Sequence, residues 1–286
     1  MLVTLQNGST EMTISTLGAE PQSLVYEGRE YIWNGDKEYW FRRAPLLFPM
    51  IGPTKDNKIE VKGKVYDMPN NGFARDTEFS LVETGKDYAV FTLEDTEESK
   101  AKYYPYGFIL KVTYTLLPDG YRASAEITAK DDLWYTFGWH PAFSLDCNGK
   151  GTDFESYTVN FEKEECIGKR TPINGVFQYS EPDFLKGDTL DLKREEMDPG
   201  AFIFEGLNSK KVTLTSSEGE HGVTVDIGDM PILTLWTCTK HAQYLCIEPM
   251  LSFGDSTRPL DIEKMKETKE LKKGETVTYE NTFKVF

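Results

Sequence analysis

Short segments of alternating polar and apolar residues, rich in β-branched and aromatic side chains, recur along almost the whole of this 286-residue chain. Alternation with a period of two is typical of a strand with one buried and one solvated face. The pattern predicts strands at residues 88–94, 109–117, 121–128, 157–162, 211–216, 222–227, 232–238, 244–248 and 276–286. Many short strands at regular spacing indicate an all-β protein, either a sandwich or a barrel.

Turn signals separate the predicted strands. Asn-Gly dipeptides, which tolerate positive φ and favour hairpins, begin at Asn7, Asn34, Asn71, Asn148 and Asn174. Helical signals are few: the strongest lies at 261–271, and the segments 97–103 and 193–197 are long enough for a turn or two. Because no linker, repeat or low-complexity tract interrupts the pattern, we predict a single domain over residues 1–286.

The charge balance limits the partners. The chain carries 47 acidic residues against 32 basic ones, a net charge of −15. Phosphate backbones and anionic membrane surfaces repel such a chain, so we expect neither a nucleic-acid partner nor a membrane partner. The N-terminus lacks a basic start followed by an apolar stretch, which predicts no signal peptide and a cytoplasmic location.

Several motifs that identify common enzyme classes are missing. The sequence has no Walker loop, no dinucleotide-binding glycine motif after a strand, no H-E-x-x-H and no G-x-S-x-G. The cysteines at 147, 166, 238 and 246 form no C-x-x-C pair, which argues against a zinc ribbon. We expect them to be buried free thiols in a reducing compartment.

Of the three histidines, one is distinctive. His221 and His241 lie in polar, turn-like stretches, and we predict that both are solvated loop residues. His140 lies in the aromatic stretch 137–143, and the following Pro141 favours extended backbone there. It is either a core histidine or a site residue facing a cleft. Since imidazole titrates near pH ~6.5, it would serve as a general acid or base in such a cleft.

One acidic and three basic residues are further candidates. Glu248 ends the apolar segment 244–248, and it is either structural or exposed there, or a buried base whose pKa is raised. Arg42, Arg43 and Arg75 flank apolar or turn-forming stretches. An arginine fork binds vicinal hydroxyls, carboxylates or phosphates, and otherwise forms surface salt bridges in an acidic protein.

Six stretches, in this order, together resemble the aldose 1-epimerase (galactose mutarotase-like) family. They are ISTLGAE at 14–20, YIWNGD at 31–36, RRAPLLFP at 42–49, NGFARD at 71–76, GWHPAF at 138–143 and CIEP at 246–249. They span almost the whole chain. The resemblance is closest to the branch associated with lactose and galactose operons, and more distant to the glucose-6-phosphate 1-epimerases.

The resemblance implies a large antiparallel β-sandwich with few short helices and an open cleft. It also implies interconversion of the α and β anomers of a hexose or a related sugar, phosphorylated or not, by a monomer or a homodimer. His140 matches the family's general acid and Glu248 its general base, and no cofactor or metal is implied. The base takes the proton of the anomeric hydroxyl while the acid protonates the ring oxygen, and the ring opens.

If the chain is such an isomerase, further residues are expected to bind the sugar. Arg75, Asn71 and Arg43 are expected to hold hydroxyls or an anionic substituent. Phe73, Trp139 and Trp236 are expected either to present apolar faces to the sugar ring or to be core residues.

The chain departs from the family at three positions. Asn71 stands where relatives usually have a second histidine, Pro53 where many carry Arg or Lys, and Gly200 where an Asp often contacts hydroxyls. These departures favour an alternative, a non-catalytic carbohydrate-binding or sensing protein of the same fold. We expect an enzyme to place its acid and base on opposite sides of a ring-sized cleft. A glycoside hydrolase would instead need a second carboxyl within about 5–9.5 Å of Glu248.

Overall fold

The computed structural model describes residues 1–145, 154–173, 176–197, 200–217, 221–238, 242–254 and 257–286. Strands predominate in these ranges. The strands are β1 (Leu2–Asn7), β2 (Thr10–Ser15), β3 (Glu20–Tyr26), β4 (Arg29–Glu30), β5 (Leu46–Leu47), β6 (Lys58–Val61), β7 (Lys64–Asp67), β8 (Ser80–Thr84), β9 (Tyr88–Glu94), β10 (Phe108–Leu117), β11 (Gly120–Ala129), β12 (Leu133–Tyr135), β13 (Gly138–Trp139), β14 (Ala142–Ser144), β15 (Tyr157–Ile173), β16 (Val176–Asp191), β17 (Phe202–Glu205), β18 (Lys211–Ser216), β19 (Gly222–Asp226), β20 (Ile232–Trp236), β21 (Tyr244–Met250), β22 (Lys269–Leu271) and β23 (Thr276–Val285). The α-helices are α1 (Glu97–Lys102) and α2 (Arg194–Met197).

One large sheet organises the molecule. Its strand order is β5-β13-β21-β20-β17-β15-β18-β19-β23-β11-β10-β9-β8, with β14 added beside β21 and β16 beside β15. The strands β1 to β4 form a second sheet in sequence order, and β6–β7 and β12–β22 are separate pairs. All these strand pairs are antiparallel. The predicted all-β, antiparallel fold is therefore confirmed.

The second sheet covers part of the large one. In β10 alternate residues are buried, as expected for a strand with one face towards a core. The Tyr114 side chain of β10 is buried and donates a hydrogen bond of 2.9 Å to the backbone oxygen of Ala19, next to β3. Apolar residues of both sheets, such as Met12 and Leu110, belong to one buried cluster. The core therefore lies between two β layers.

The strongest helix prediction is wrong. Residues 261–271 contain a single turn of 3₁₀ helix, Ile262–Lys264, followed by strand β22. Leu271 is buried where β22 pairs with β12, opposite Leu133. Pairing with a neighbouring strand thus overrides the weak helical preference of this charged segment. The weaker prediction at 97–103 is confirmed by α1, whose capping box is formed by Thr96 and Ser99.

The nine predicted strands all appear, most within two residues of their predicted ends. Strand β15 is much longer than predicted: it runs 11 residues beyond the predicted end at 162, to Ile173. The alternation also gave no prediction for β1 to β4 or for β16. No helix in the described ranges is long and apolar enough to cross a membrane. A single domain over 1–286 stays a proposal, supported by a main sheet that includes both β5 and β23.

Candidate active site

The centre of the site is built on β21, whose seven residues are all buried. Side chains two apart in a strand share a face, so Cys246 and Glu248 point the same way. His140 lies between β13 and β14, both of which pair with β21. Its backbone N–H donates to the oxygen of Pro45 at 2.9 Å, and the oxygen of Pro141 accepts from Ile247 at 3.2 Å. The sheet itself therefore brings His140 beside Glu248.

The two side chains meet in an open cavity. Nε2 of His140 lies 3.5 Å from Oε2 of Glu248. The cavity has a volume of about 430 Å³, within the range of about 300–1,000 Å³ usual for small-molecule sites. Its lining includes Trp40, Phe41, Arg42, Pro53, Asn71, Arg75, His140, Gly200, Thr234, Trp236, Glu248 and Phe253. Glu248 is the only acidic residue of the lining in the part of the chain that the structure describes, which disfavours a two-carboxylate hydrolase.

The acid and base candidates lie side by side, which corrects the expectation that they would face each other across the cleft. Both belong to neighbouring parts of one sheet, so they share a wall of the cavity. The Glu248 side chain is only 2% exposed, and the His140 side chain is 11% exposed. A ligand can reach both groups only from the cavity side.

Burial decides the protonation of this pair. It raises the pKa of Glu248 well above 4.5. It is also the main reason why the pKa of His140 falls from 6.5 to about 3, and the positive charges of Arg75 and Arg42 add to the effect. Burial therefore favours the neutral forms of both groups, a carboxylic acid beside a neutral imidazole. This state and the imidazolium–carboxylate state contain the same single proton, so they interconvert without exchange with water.

The raised pKa of Glu248 has a measurable effect on stability. A carboxyl whose pKa is raised by folding stabilises the protein below pH 4.5, and this contribution is lost as the pH rises. We expect the difference in unfolding free energy between the wild type and Glu248→Gln to fall by about 1.4 kcal/mol per pH unit between pH 4.5 and the raised pKa of Glu248. Urea unfolding of both proteins between pH 5 and 8 would measure it. A difference that stays constant with pH would mean that Glu248 is ionised in the folded protein.

Aromatic rings fix the orientation of the histidine. The Trp40 ring stacks on the His140 ring at 4.9 Å and 26°, and Trp236 meets the same ring edge-on at 5.5 Å and 82°. Trp33 holds the Trp40 backbone, since its Nε1 donates to the Trp40 oxygen at 2.8 Å. Trp236 was predicted from the sequence. Trp40 was missed, because nothing in the sequence distinguishes it from a core tryptophan.

Two arginines, Arg42 and Arg75, line the cavity. Arg75 is 12% exposed at its side chain, and its Nη2 donates to the oxygen of Asn70 at 2.5 Å. The buried Nε of Arg75 has no hydrogen-bond partner among the described residues. Burial, more than the nearby Arg42, lowers the pKa of Arg75 to about 10, so it stays charged at pH 7. Arg42 pairs with Asp76 at 2.7 Å. The cavity thus offers local positive charge in a strongly acidic protein.

The three positions that depart from the family all line the cavity. Asn71 has a positive φ of 64°, and its Oδ1 accepts a hydrogen bond of 2.6 Å from the backbone N–H of Gly52. Gly52 lies against Gly254: a Cβ on Gly52 would be 2.3 Å from the Cα of Gly254, which is closer than any real contact. Nη2 of Arg258 donates to the oxygens of Ile51 at 2.5 Å and Pro53 at 2.7 Å. Hydrogen bonds with Asn71 and with Arg258 therefore hold the segment 51–53 in place.

The Asn71 contact predicts a stability effect. Asn71→Ala is expected to cost about 2 kcal/mol, about half from the lost acceptor and about half from the positive φ. Asn71→Gly, which adopts this φ without strain, should cost less, and Asn71→Asp, which keeps the acceptor, should cost least. Urea unfolding of the three variants would rank them. Equal losses for Ala and Gly would show that the backbone conformation contributes nothing.

Three predicted contacts do not reach the cavity. Nη1 of Arg43 donates to the oxygen of Gln22 at 2.5 Å, and the Arg43 backbone is held by Glu20. Phe73 is buried and stacks on Tyr103 at 5.4 Å.

Trp139 is buried as well, and its Nε1 donates to Oδ1 of Asn281 at 3.0 Å. None of the three belongs to the lining, so they are corrected to structural roles. Neighbours along an extended chain point to opposite sides, and Trp139 and Arg43 are the neighbours of the residues that face the cavity.

Other expectations for histidine and cysteine also change. His221 is buried, not solvated, because its Nε2 lies 2.8 Å from the hydroxyl of Tyr157 and the strand after it pairs with β23. His241 and Cys147 lie outside the described residues. The cysteines at 166, 238 and 246 are free, but only Cys246 is buried. A ligand atom of His140, Cys246 and Glu248 each lies within 4.8 Å of the other two.

Comparison with known proteins gives matches over nearly the whole chain, in sequence and in fold. A sequence model of the aldose 1-epimerase family matches residues 1–284. The plasmid-encoded protein LacX of Lactococcus lactis subsp. lactis is 30% identical over 269 residues, which cover 90% of this chain and 89% of LacX. A galactose mutarotase-like protein from Lactobacillus casei ATCC 334 superimposes with a TM-score of 0.92 at 29% identity, over 100% of both chains. A galactose mutarotase related enzyme from Lactobacillus acidophilus gives 0.90 at 26% identity, over 100% of this chain and 97% of that one.

Proposed function

Because this chain belongs to the aldose 1-epimerase family, we propose that it interconverts the α and β anomers of a hexose or a related sugar, with His140 as acid and Glu248 as base. The observation that carries the proposal is the contact of 3.5 Å between Nε2 of His140 and Oε2 of Glu248, in a cavity of sugar-accommodating size. Ring opening requires a general acid within reach of the ring oxygen and a general base within reach of the anomeric hydroxyl.

The side-by-side arrangement suits this chemistry. The two oxygens that exchange protons, the anomeric hydroxyl and the ring oxygen, are bonded to the same carbon, C1. Glu248 takes the hydroxyl proton while His140 protonates the ring oxygen. The C1–O5 bond breaks and leaves an open-chain aldehyde. Rotation about the C1–C2 bond followed by closure returns both protons and gives the other anomer.

One proton on the pair is sufficient throughout. Burial favours the form in which this proton lies on Glu248, and its transfer to His140 across 3.5 Å would create the ionic form that reacts. Because closure is the reverse of opening, each group acts once as acid and once as base in every turnover. The pH dependence of the rate therefore belongs to the pair, not to either residue alone.

The rest of the lining would hold the sugar. Arg75 and Arg42 can donate to hydroxyls or to an anionic substituent such as a phosphate. The Trp236 ring offers an apolar surface to the C–H groups of a sugar ring. Asn71 lines the same wall, although its carbonyl oxygen is engaged by Gly52. These contacts need no cofactor.

The direct test is anomer exchange by NMR magnetisation transfer on glucose, galactose and glucose 6-phosphate. The wild type should accelerate exchange of at least one sugar, and Glu248→Gln should not. A preference for the phosphorylated sugar would support a role for Arg42 and Arg75 in binding its phosphate. Acceleration that persists in Glu248→Gln would contradict the proposed base.

A second candidate is a carbohydrate-binding or sensing protein that lacks turnover. The observation in its favour is that Asn71, Pro53 and Gly200, the positions that depart from the family, all line the cavity. Titration calorimetry with the same sugars separates the two functions. Binding without any acceleration of exchange would favour the binding protein over the enzyme.

A further inference from the structure

We propose that His140, Cys246 and Glu248 also form a binding site for Zn²⁺, with its open coordination position towards the sugar cavity. The three ligand atoms lie within 4.8 Å of one another. All three residues are buried, and two of them line the cavity. This site goes beyond anomer exchange, and metal binding can be measured whether or not the protein has turnover.

The ligand types match the ion. Zn²⁺ in proteins takes imidazole nitrogen, thiolate sulfur and carboxylate oxygen, and an open site has three protein ligands and one exchangeable position. Two nitrogen or oxygen ligands at about 2.0–2.1 Å in tetrahedral geometry are about 3.3 Å apart. The observed separation of Nε2 and Oε2 is 3.5 Å. The thiolate disfavours hard ions such as Mg²⁺ and Ca²⁺.

The buried carboxyl lacks the contacts that usually accompany burial. Oε1 of Glu248 has no hydrogen-bond partner among the described residues, although the side chain is only 2% exposed. Buried carboxyl groups normally find partners, because an unsatisfied polar atom is costly. A cation between Glu248, His140 and Cys246 would give this buried carboxylate a charged partner. The thiolate and carboxylate charges would cancel the charge of Zn²⁺, with the two protons released to solvent, so the buried complex would be neutral.

The ligands are held by strands. Cys246 and Glu248 lie two apart on one face of β21, and Cys246 is paired with Ala142 of β14. The stacking of Trp40 fixes the His140 ring. A site on sheet residues with fixed side chains is more precise than one on loops.

Zn²⁺ in this site would occupy the acid–base pair. Its open position would carry water or a sugar hydroxyl, and neither His140 nor Glu248 could then transfer protons. Zn²⁺ is therefore expected to inhibit anomer exchange, whereas Mg²⁺ is not. Cys246 determines this sensitivity.

The test uses Cd²⁺ as a spectroscopic probe for Zn²⁺ and the full chain in chelator-treated buffer. Titration should give a thiolate-to-Cd²⁺ charge-transfer absorbance that saturates at one ion per chain, and Zn²⁺ should displace it. Cys246→Ala should abolish the band and weaken Zn²⁺ binding by more than the roughly 100-fold that loss of an outer-shell partner costs. Cys166→Ala, at an exposed cysteine outside the cavity, is the matched control and should keep the band.

Two further variants keep the result interpretable. Cys246→Ser is measured if Cys246→Ala does not fold, as judged by circular dichroism, and Glu248→Gln removes a second ligand. Weaker binding in both supports the site. A wild type that gives no band, or a band that persists at full strength in the folded Cys246 variant, overturns the proposal.

Discussion

Glu248→Gln is expected to lower the acceleration of anomer exchange by about 10²–10⁴-fold without preventing folding. The amide has nearly the shape of the carboxyl, but it can neither accept the hydroxyl proton nor return it. The Glu248 carboxyl already lacks a hydrogen-bond partner on Oε1 among the described residues, so the substitution breaks no described hydrogen bond there. NMR magnetisation transfer at equal protein concentration measures the loss.

The matched control is Glu280→Gln, at an exposed glutamate on β23 that does not line the cavity. It should exchange anomers at the wild-type rate. If a folded Glu248→Gln protein also did so, the base would have to be another group, and the functional assignment of the cavity would fail.

His140→Asn is expected to cause a loss of similar size, about 10²–10⁴-fold. Asparagine keeps a polar side chain against Trp40 but cannot carry the proton to the ring oxygen. His221→Asn is the control, because His221 is a second buried histidine that contacts Tyr157 away from the cavity. If the His221→Asn protein folds, it should retain the wild-type rate of anomer exchange. The rate on the best sugar, measured from pH 5 to 8, checks both variants.

The double variant adds a stricter condition. Since His140 and Glu248 share one proton, removing both should cost little more than removing either. Multiplication of the two single losses would mean that the residues act independently. In that case the contact of 3.5 Å between them would not serve the reaction.

Much of the fold follows from local patterns. Alternation of buried and exposed residues in β10 is strong enough to predict the strand and its hairpin with β11. The short strands β4 and β5, by contrast, have two residues each, and no periodicity can be read from two residues. The segment 261–271 shows the opposite failure, because a local preference for helix was overridden by pairing of β22 with the distant β12.

Most of the residues predicted for the site line the cavity, and two that do not are direct chain neighbours of residues that do. The sequence indicated His140, Glu248, Arg75, Asn71 and Trp236, and all five line the cavity. Trp139 and Arg43 were also expected there, but the cavity lies on the side of their neighbours His140 and Arg42. An irregular or two-residue strand does not reveal which of its faces will meet a cavity. That choice depends on the distant strand with which it pairs.

The contact between Gly52 and Gly254 limits how the cavity can change. Their chains touch at a distance that leaves no room for a methyl group on either residue. Any substitution at this seam would separate two segments that are 202 positions apart in the chain, and binding and folding would suffer together. Efforts to change the size of the cavity should therefore begin at another lining residue. Phe41 also lines the cavity and is 61% exposed, so its side chain is far less confined than the contact between Gly52 and Gly254.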